Sequence, residues 1–169
     1  MIVGYINKLG NTAGNKKFIQ NRHKLEKKFK SSSFLYSSKN ASVIILYKNF
    51  NEYNFYEDDR FIVYINGTIG TDKYRLKAEN VFLEFRLNDE FPLEKFEGSF
   101  QIFIFDKIKN NFLCITDYFN THKFYIKNKK NEIIITTNLS LPILLKIIKK
   151  EFSENFFYRY TLGNYRSSH

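Results

Sequence analysis

At 169 residues the chain has the length of one domain and can bury about 70% of its unfolded surface, enough for a core of its own. It carries 19 Phe and 12 Tyr and no Trp, and such rings suit half-buried pleated surfaces, so the composition leans towards β-structure. The formal net charge of +10 raises a polyanion surface, but Lys is scattered along the chain and its excess comes with Asn, Ile, Phe and Tyr, all A/T-rich codons; nucleic acid is not expected as a partner.

Met1-Ile2-Val3-Gly4-Tyr5-Ile6 is a short apolar run and predicts a buried strand. Gly10-Asn11-Thr12-Ala13-Gly14 reads as a loop. Over 15–30 the spacing of Phe18, Leu25 and Phe29 predicts an amphipathic helix, with Lys16, Lys17, Lys24, Lys27, Lys28 and Lys30 on its solvated face. Ser31-Ser32-Ser33 ends it, and strands follow near 34–37 and 42–47. Residues 49–59 are polar and aromatic, a loop. Phe61-Ile62-Val63-Tyr64-Ile65 is a strongly apolar strand, closed by Asn66-Gly67 read as a turn. Val81, Phe82 and Phe85 have helical spacing within 78–87.

Residues 100–106 alternate as a strand, and Asn110-Asn111 turns the chain back through 112–116. Segments 123–126 and 132–136 predict a second hairpin about Asn128-Lys129-Lys130-Asn131. Ser140 is placed to cap a last helix, with Pro142 in its first turn, running to about residue 151. Two or three helices set beside hairpin-joined strands predict an α+β fold.

Met1-Ile2-Val3-Gly4-Tyr5-Ile6 lacks the basic start of a signal peptide, and no apolar run approaches the ~20 residues that span a bilayer. The longest candidate, 139–148, is interrupted by Pro142 and Lys146. A cytoplasmic protein with no membrane partner is expected. Cys114 is the one cysteine, so no intrachain disulfide forms. His23, His122 and His169 lie far apart without ligand spacing, and neither a metal nor another cofactor is expected. Gly67 and Gly70 have no Lys-Ser/Thr after them, so no phosphate loop is read, and no serine sits in a nucleophile elbow.

Four segments carry a resemblance: Ile2-Val3-Gly4-Tyr5-Ile6; Asn66-Gly67 after its apolar strand; Phe96-Glu97-Gly98-Ser99-Phe100 running on to Asp106; and Cys114-Ile115-Thr116-Asp117-Tyr118-Phe119-Asn120-Thr121-His122-Lys123-Phe124-Tyr125. In that order they resemble the glutamine-hydrolysing (class II amidotransferase) domain at the front of asparagine synthetases. The segment from Ile2 is similar to that family's opening strand, which begins Met, then Cys, then Gly-Ile. Asn66-Gly67 resembles its Asn-Gly-Glu oxyanion turn. The run from Phe96 to Asp106 resembles its Leu-x-Gly-x-Phe-Ala-Phe-x-x-x-Asp strand, and the run from Cys114 its Ala-Arg-Asp-x-x-Gly-x-Lys-Pro-Leu-Tyr hairpin. Thr136-Thr137-Asn138-Leu139 then stands where the family has Ala-Ser-Glu before a helix.

The resemblance implies a four-layer αββα sandwich of two antiparallel sheets, the N-terminal nucleophile (Ntn) hydrolase-like fold. It implies a glutaminase-like domain over 1–152 and, over 153–169, a linker or the start of a synthetase-type domain, since Tyr158-Arg159-Tyr160-Thr161-Leu162-Gly163-Asn164-Tyr165 resembles that entry segment. The implied partner is an ATP-dependent synthetase domain or subunit, in the same chain or a neighbouring gene product, with a peptide or amino-acid substrate.

The chemistry departs from the family at its first step. An N-terminal nucleophile enzyme carries attacking atom and base on one residue, because covalent proximity supplies the geometry. Ile2 has no attacking atom. Cleavage before Thr12 would expose a hydroxyl, but nothing nearby signals it. Cys114 stands in an apolar strand where the family has a structural Ala, and is read as a core cysteine.

By resemblance Asn66 and Gly67 are substrate-binding, as oxyanion donors; without an attacker that pair is a fold element. Glu79 is the nearest match to the acid that holds the amino group of glutamine, Asp89 and Glu90 coming too late. The Arg that grips its carboxylate should fall at Ile44-Ile45-Leu46, which is wholly apolar. No catalytic residue is assigned and glutaminase activity is expected to be absent. The function expected is an inactive scaffold or substrate-presenting domain of an asparagine synthetase-like amide ligase. The alternatives are a residual amidohydrolase with an unrecognised nucleophile and a basic polyanion-binding module with aromatic stacking platforms.

Overall fold

The structure, a computed structural model, describes residues 1–10, 13–71, 74–87 and 92–148. The segment 153–169, with its reading as linker or entry to a further domain, lies outside the described residues, as do Thr12, Asp89 and Glu90.

The described chain is α+β, two antiparallel sheets with helices packed on them. In the first sheet β1 (Ile2–Asn7) is central and buried along its whole length, between β3 (Ala41–Tyr47) and β10 (Glu132–Thr136). β2 (Ser32–Ser37) and β9 (Tyr125–Lys129) form its edges. The second sheet runs β4 (Phe55–Glu57), β5 (Phe61–Thr71), β7 (Glu97–Asp106), β8 (Asn111–Thr116), with the two-residue β6 (Tyr74–Arg75) paired to the end of β5.

Side-chain alternation along the strands sorts the apolar residues into three layers. On one face of the second sheet, Val63, Ile65, Phe100, Ile102 and Ile104 pack under Ala78, Val81 and Phe82 of helix α2 (Ala78–Leu87). On its other face, Ile62, Tyr64, Phe103 and Phe105 meet Ile2, Ile6, Val43, Ile45 and Ile135 of the first sheet. The far face of the first sheet, with Val3, Tyr5, Ile44 and Leu46, is covered by Phe18 and Leu25 of helix α1 (Ala13–Phe29) and by Leu141 of helix α3 (Ser140–Leu144). Each such side chain contributes about 1.5–3 kcal/mol when fully buried. The sheets approach closely because β1 has no side chain at Gly4: a Cβ there would lie 2.7 Å from the Phe112 ring of the second sheet.

α1 carries the expected face, with Phe18 and Leu25 fully buried and Lys16, Lys17, Lys24, Lys27 and Lys28 exposed. Several local expectations differ. Asn66-Gly67 does not close a turn, because β5 continues through it to Thr71 in register with β7, Gly67 opposite Phe100. The loop over 49–59 contains β4, which pairs Phe55 with Tyr64. The last helix stops at Leu144 instead of about residue 151: Lys146 enters the left-handed region at φ 57°. Its first turn is held by the Asn138 side-chain oxygen accepting from Ser140 N–H at 2.9 Å, so Ser140 is inside the helix and does not cap it. The second hairpin turns on Lys130 and Asn131 alone, since Lys129 already pairs with Glu132. Among the described residues no helix is long and apolar enough to cross a membrane.

Candidate functional site

The layer between the sheets changes character at one end. In β5 and β7 the facing residues form two apolar cross-strand pairs, Ile62 with Phe105 and Tyr64 with Phe103. The next pair on the same face is Asn66 with Gln101. A cleft of about 290 Å³ opens there. Asn66 and Gln101 line it from the second sheet, Met1 and Thr137 from the first. Thr121, His122 and Lys123, from the connection after β8, and Tyr125 of β9 form its rim.

Gln101 is 1% exposed, and neither its Oε1 nor its Nε2 has a hydrogen-bond partner among the described residues. A buried polar group in that state costs about 1–3 kcal/mol. Gly67, next to Asn66, has φ 97°, and a Cβ there would strike the Ser99 carbonyl oxygen across the ladder, so only glycine fits this close approach.

Asp117 holds the rim. Its carboxylate accepts the Phe100 N–H at 3.0 Å and the Thr121 N–H at 3.2 Å, and also the Thr121 hydroxyl. Its backbone returns a hydrogen bond to the Phe100 carbonyl at 3.0 Å. The Thr121 hydroxyl, with these N–H groups, outweighs burial and keeps Asp117 below its ordinary carboxylate range. Asn120 makes the turn with φ 51°.

Ser99 lies 2.7 Å from the Thr121 hydroxyl and 3.3 Å from His122 Nε2. Because Thr121 donates to Asp117, its oxygen is left to accept from Ser99, whose own oxygen then accepts from His122. In this arrangement Ser99, Thr121 and His122 tie the start of β7 to the connection after β8 along the rim.

The leading strand has no attacking atom in the cleft. Ile2 is 1% exposed and its side chain lies in the core between the sheets. Its N–H donates to the Thr137 hydroxyl at 2.9 Å, and its carbonyl accepts from Thr137 N–H at 3.1 Å and from the Thr136 hydroxyl at 2.9 Å. The Met1 amine donates to the Leu46 carbonyl at 2.8 Å, and burial lowers it to about 6. Cys114 faces the inter-sheet core opposite Phe103, where burial pushes its thiol up to about 12, so it stays protonated at neutral pH.

No protein-family model matches the chain, and no curated protein matches it.

Of the residues picked from the sequence, Asn66 lines the cleft and Gly67 adjoins it on the same strand. Glu79 is exposed in the first turn of α2, the helix that covers the opposite face of the second sheet, and is not among the cleft residues. Ile44, Ile45 and Leu46 are all buried in β3, with no cation among them. Sequence reasoning passes over Gln101, Thr137 and the rim of Thr121 to Tyr125. Gln101 does carry a signal: positions 101, 103 and 105 share a face, and a lone amide there breaks a run of Phe. Among the described residues no group of three or more His, Cys, Asp or Glu is placed to hold a metal.

Proposed function

We propose that this chain is a glutamine amidotransferase-like domain, of four-layer αββα (Ntn hydrolase-like) architecture, that has no hydrolytic chemistry of its own. In this reading it serves a cytoplasmic, asparagine synthetase-like system that forms amide bonds with ATP, as scaffold or substrate-presenting partner of the synthetase domain or subunit. The observation that carries the reading is the pairing of a polar cleft at the end of the leading strand with a buried Ile2 at the position where the resemblance requires a cysteine.

The experiment is co-expression of the chain with an asparagine synthetase-like synthetase polypeptide. The expected result is a stoichiometric complex whose amide-bond formation needs ATP and the domain but is not stimulated by glutamine. Glutamine-dependent ammonia release by the complex, traced to this chain, would overturn it.

A polyanion-binding role has one feature in its favour, the exposed lysines of α1. The most exposed rings, Tyr118 and Phe119, belong instead to the connection after β8, apart from that helix. An electrophoretic retardation series at rising salt separates the two readings, since phosphate contacts give a steep salt dependence.

A further inference from the structure

The unpartnered amide of Gln101 asks for a ligand of definite chemistry. Gln101 is 1% exposed in the floor of the cleft with both amide atoms unsatisfied among the described residues. Directly across the ladder Asn66 presents a second side-chain amide to the same cleft. Side-chain amides carry donors and an acceptor together. A hydrocarbon would leave both kinds unpaired, a carboxylate would match the donors alone, and an ammonium the acceptor alone. Another amide matches both.

The rim has different chemistry. Lys123 is exposed and cationic, His122 adds a ring nitrogen, and Tyr125 turns a ring that is 41% exposed along the edge. The described lining holds no Asp or Glu, and the nearby Asp117 carboxylate is already engaged by Phe100 and Thr121. A carboxylate therefore finds a partner at the rim. An α-ammonium finds none and sits beside Lys123. That polarity disfavours a free amino acid and favours a carboxylate whose neighbouring nitrogen is acylated. A cleft of about 290 Å³ has room for a fragment of that size.

The geometry points to a site for a peptide C-terminus or other N-acyl amino acid, its last amide on Gln101 and Asn66 and its carboxylate at Lys123, held without cleavage. The inference rests on the substrate-presenting reading above and names what is presented.

The test is an NMR titration of the ¹⁵N-labelled full chain with N-acetyl-Ala-Ala, with the same peptide capped as a C-terminal amide, and with free glutamine. N-acetyl-Ala-Ala is expected to shift the side-chain NH₂ signals of Gln101 and Asn66. The capped peptide and glutamine are expected to bind about tenfold more weakly or worse. Gln101→Leu, and independently the exposed Lys123→Met, are expected to weaken N-acetyl-Ala-Ala by about tenfold. Lys123→Met keeps the test open even if Gln101→Leu does not fold. Absence of any shift with the free-acid peptide, glutamine binding as tightly as it, or unchanged affinity in either folded variant would overturn the inference. If no probe binds while the synthetase complex still forms, this inference falls and the scaffold reading stands.

Discussion

Gln101 and Asp117 show how two polar residues in one small region take opposite roles. Asp117 has its oxygens filled by Phe100 and Thr121, so it rigidifies the rim. Gln101 has no partner among the described residues, so its burial detracts from stability. Gln101→Leu removes the unsatisfied amide and is expected to stabilise the fold by about 1 kcal/mol, raising Tm by about 2–4 °C in a thermal scan. Asp117→Asn keeps the shape but turns an acceptor into a donor, and is expected to cost about 1–3 kcal/mol in urea unfolding, with faster amide exchange at Phe100 and Thr121. Gln101 is legible in the sequence as an amide on a Phe face. The role of Asp117 depends on contacts 17 residues away with Phe100, which local patterning does not reveal.

At the scale of elements, long and strongly periodic segments are readable and short polar ones are not. α1 and α2 follow from helical spacing, β7 from alternation. Asn66-Gly67 has the composition of a turn, yet tertiary pairing with β7 carries the strand through it, using the positive φ of Gly67 for a close approach instead of a reversal. Gly67→Ala is therefore expected to cost about 2 kcal/mol by denaturant unfolding, more than a turn glycine free of contacts would.

The junction of α1 with β2 depends on one carboxylate. Glu26 accepts from the Ser33 hydroxyl at 2.6 Å, from Arg22 at 3.0 Å, and lies 2.8 Å from His23 Nδ1. The Ser33 hydrogen bond, with those of Arg22 and His23, outweighs burial and lowers Glu26 from 4.5 to about 2. A depressed carboxylate stabilises the fold above its unfolded value and ceases to do so as pH falls through the folded one. The contribution is thus whole above about pH 5 and fades between about pH 4.5 and 2. Glu26→Gln is expected to lower stability at pH 7 by about 1–2 kcal/mol and to flatten the decline of stability in that acid range.

For the molecule as a whole, the α+β class follows from hairpin-rich patterning, while the order of strands in the first sheet rests on long-range pairs such as Ile2 with Ile45 and Val3 with Thr136, and the stacking of the sheets on contacts such as Ile2 and Ile45 with Phe103 and Phe105, none of which a local window contains. The cleft is lined from both sheets and from the connection after β8, segments far apart in sequence, which is why a motif finds Asn66 and misses its neighbours. The proposed consequence at this scale is a cleft that holds a polar ligand without attacking it, Ile2 standing where the resemblance requires a nucleophile. Intact-mass spectrometry of the protein after incubation with the diazo-ketone analogue of glutamine, which alkylates an active N-terminal nucleophile, tests this most directly. The expected result is an unchanged mass with the analogue in large excess; a single adduct on any residue lining the cleft would contradict it.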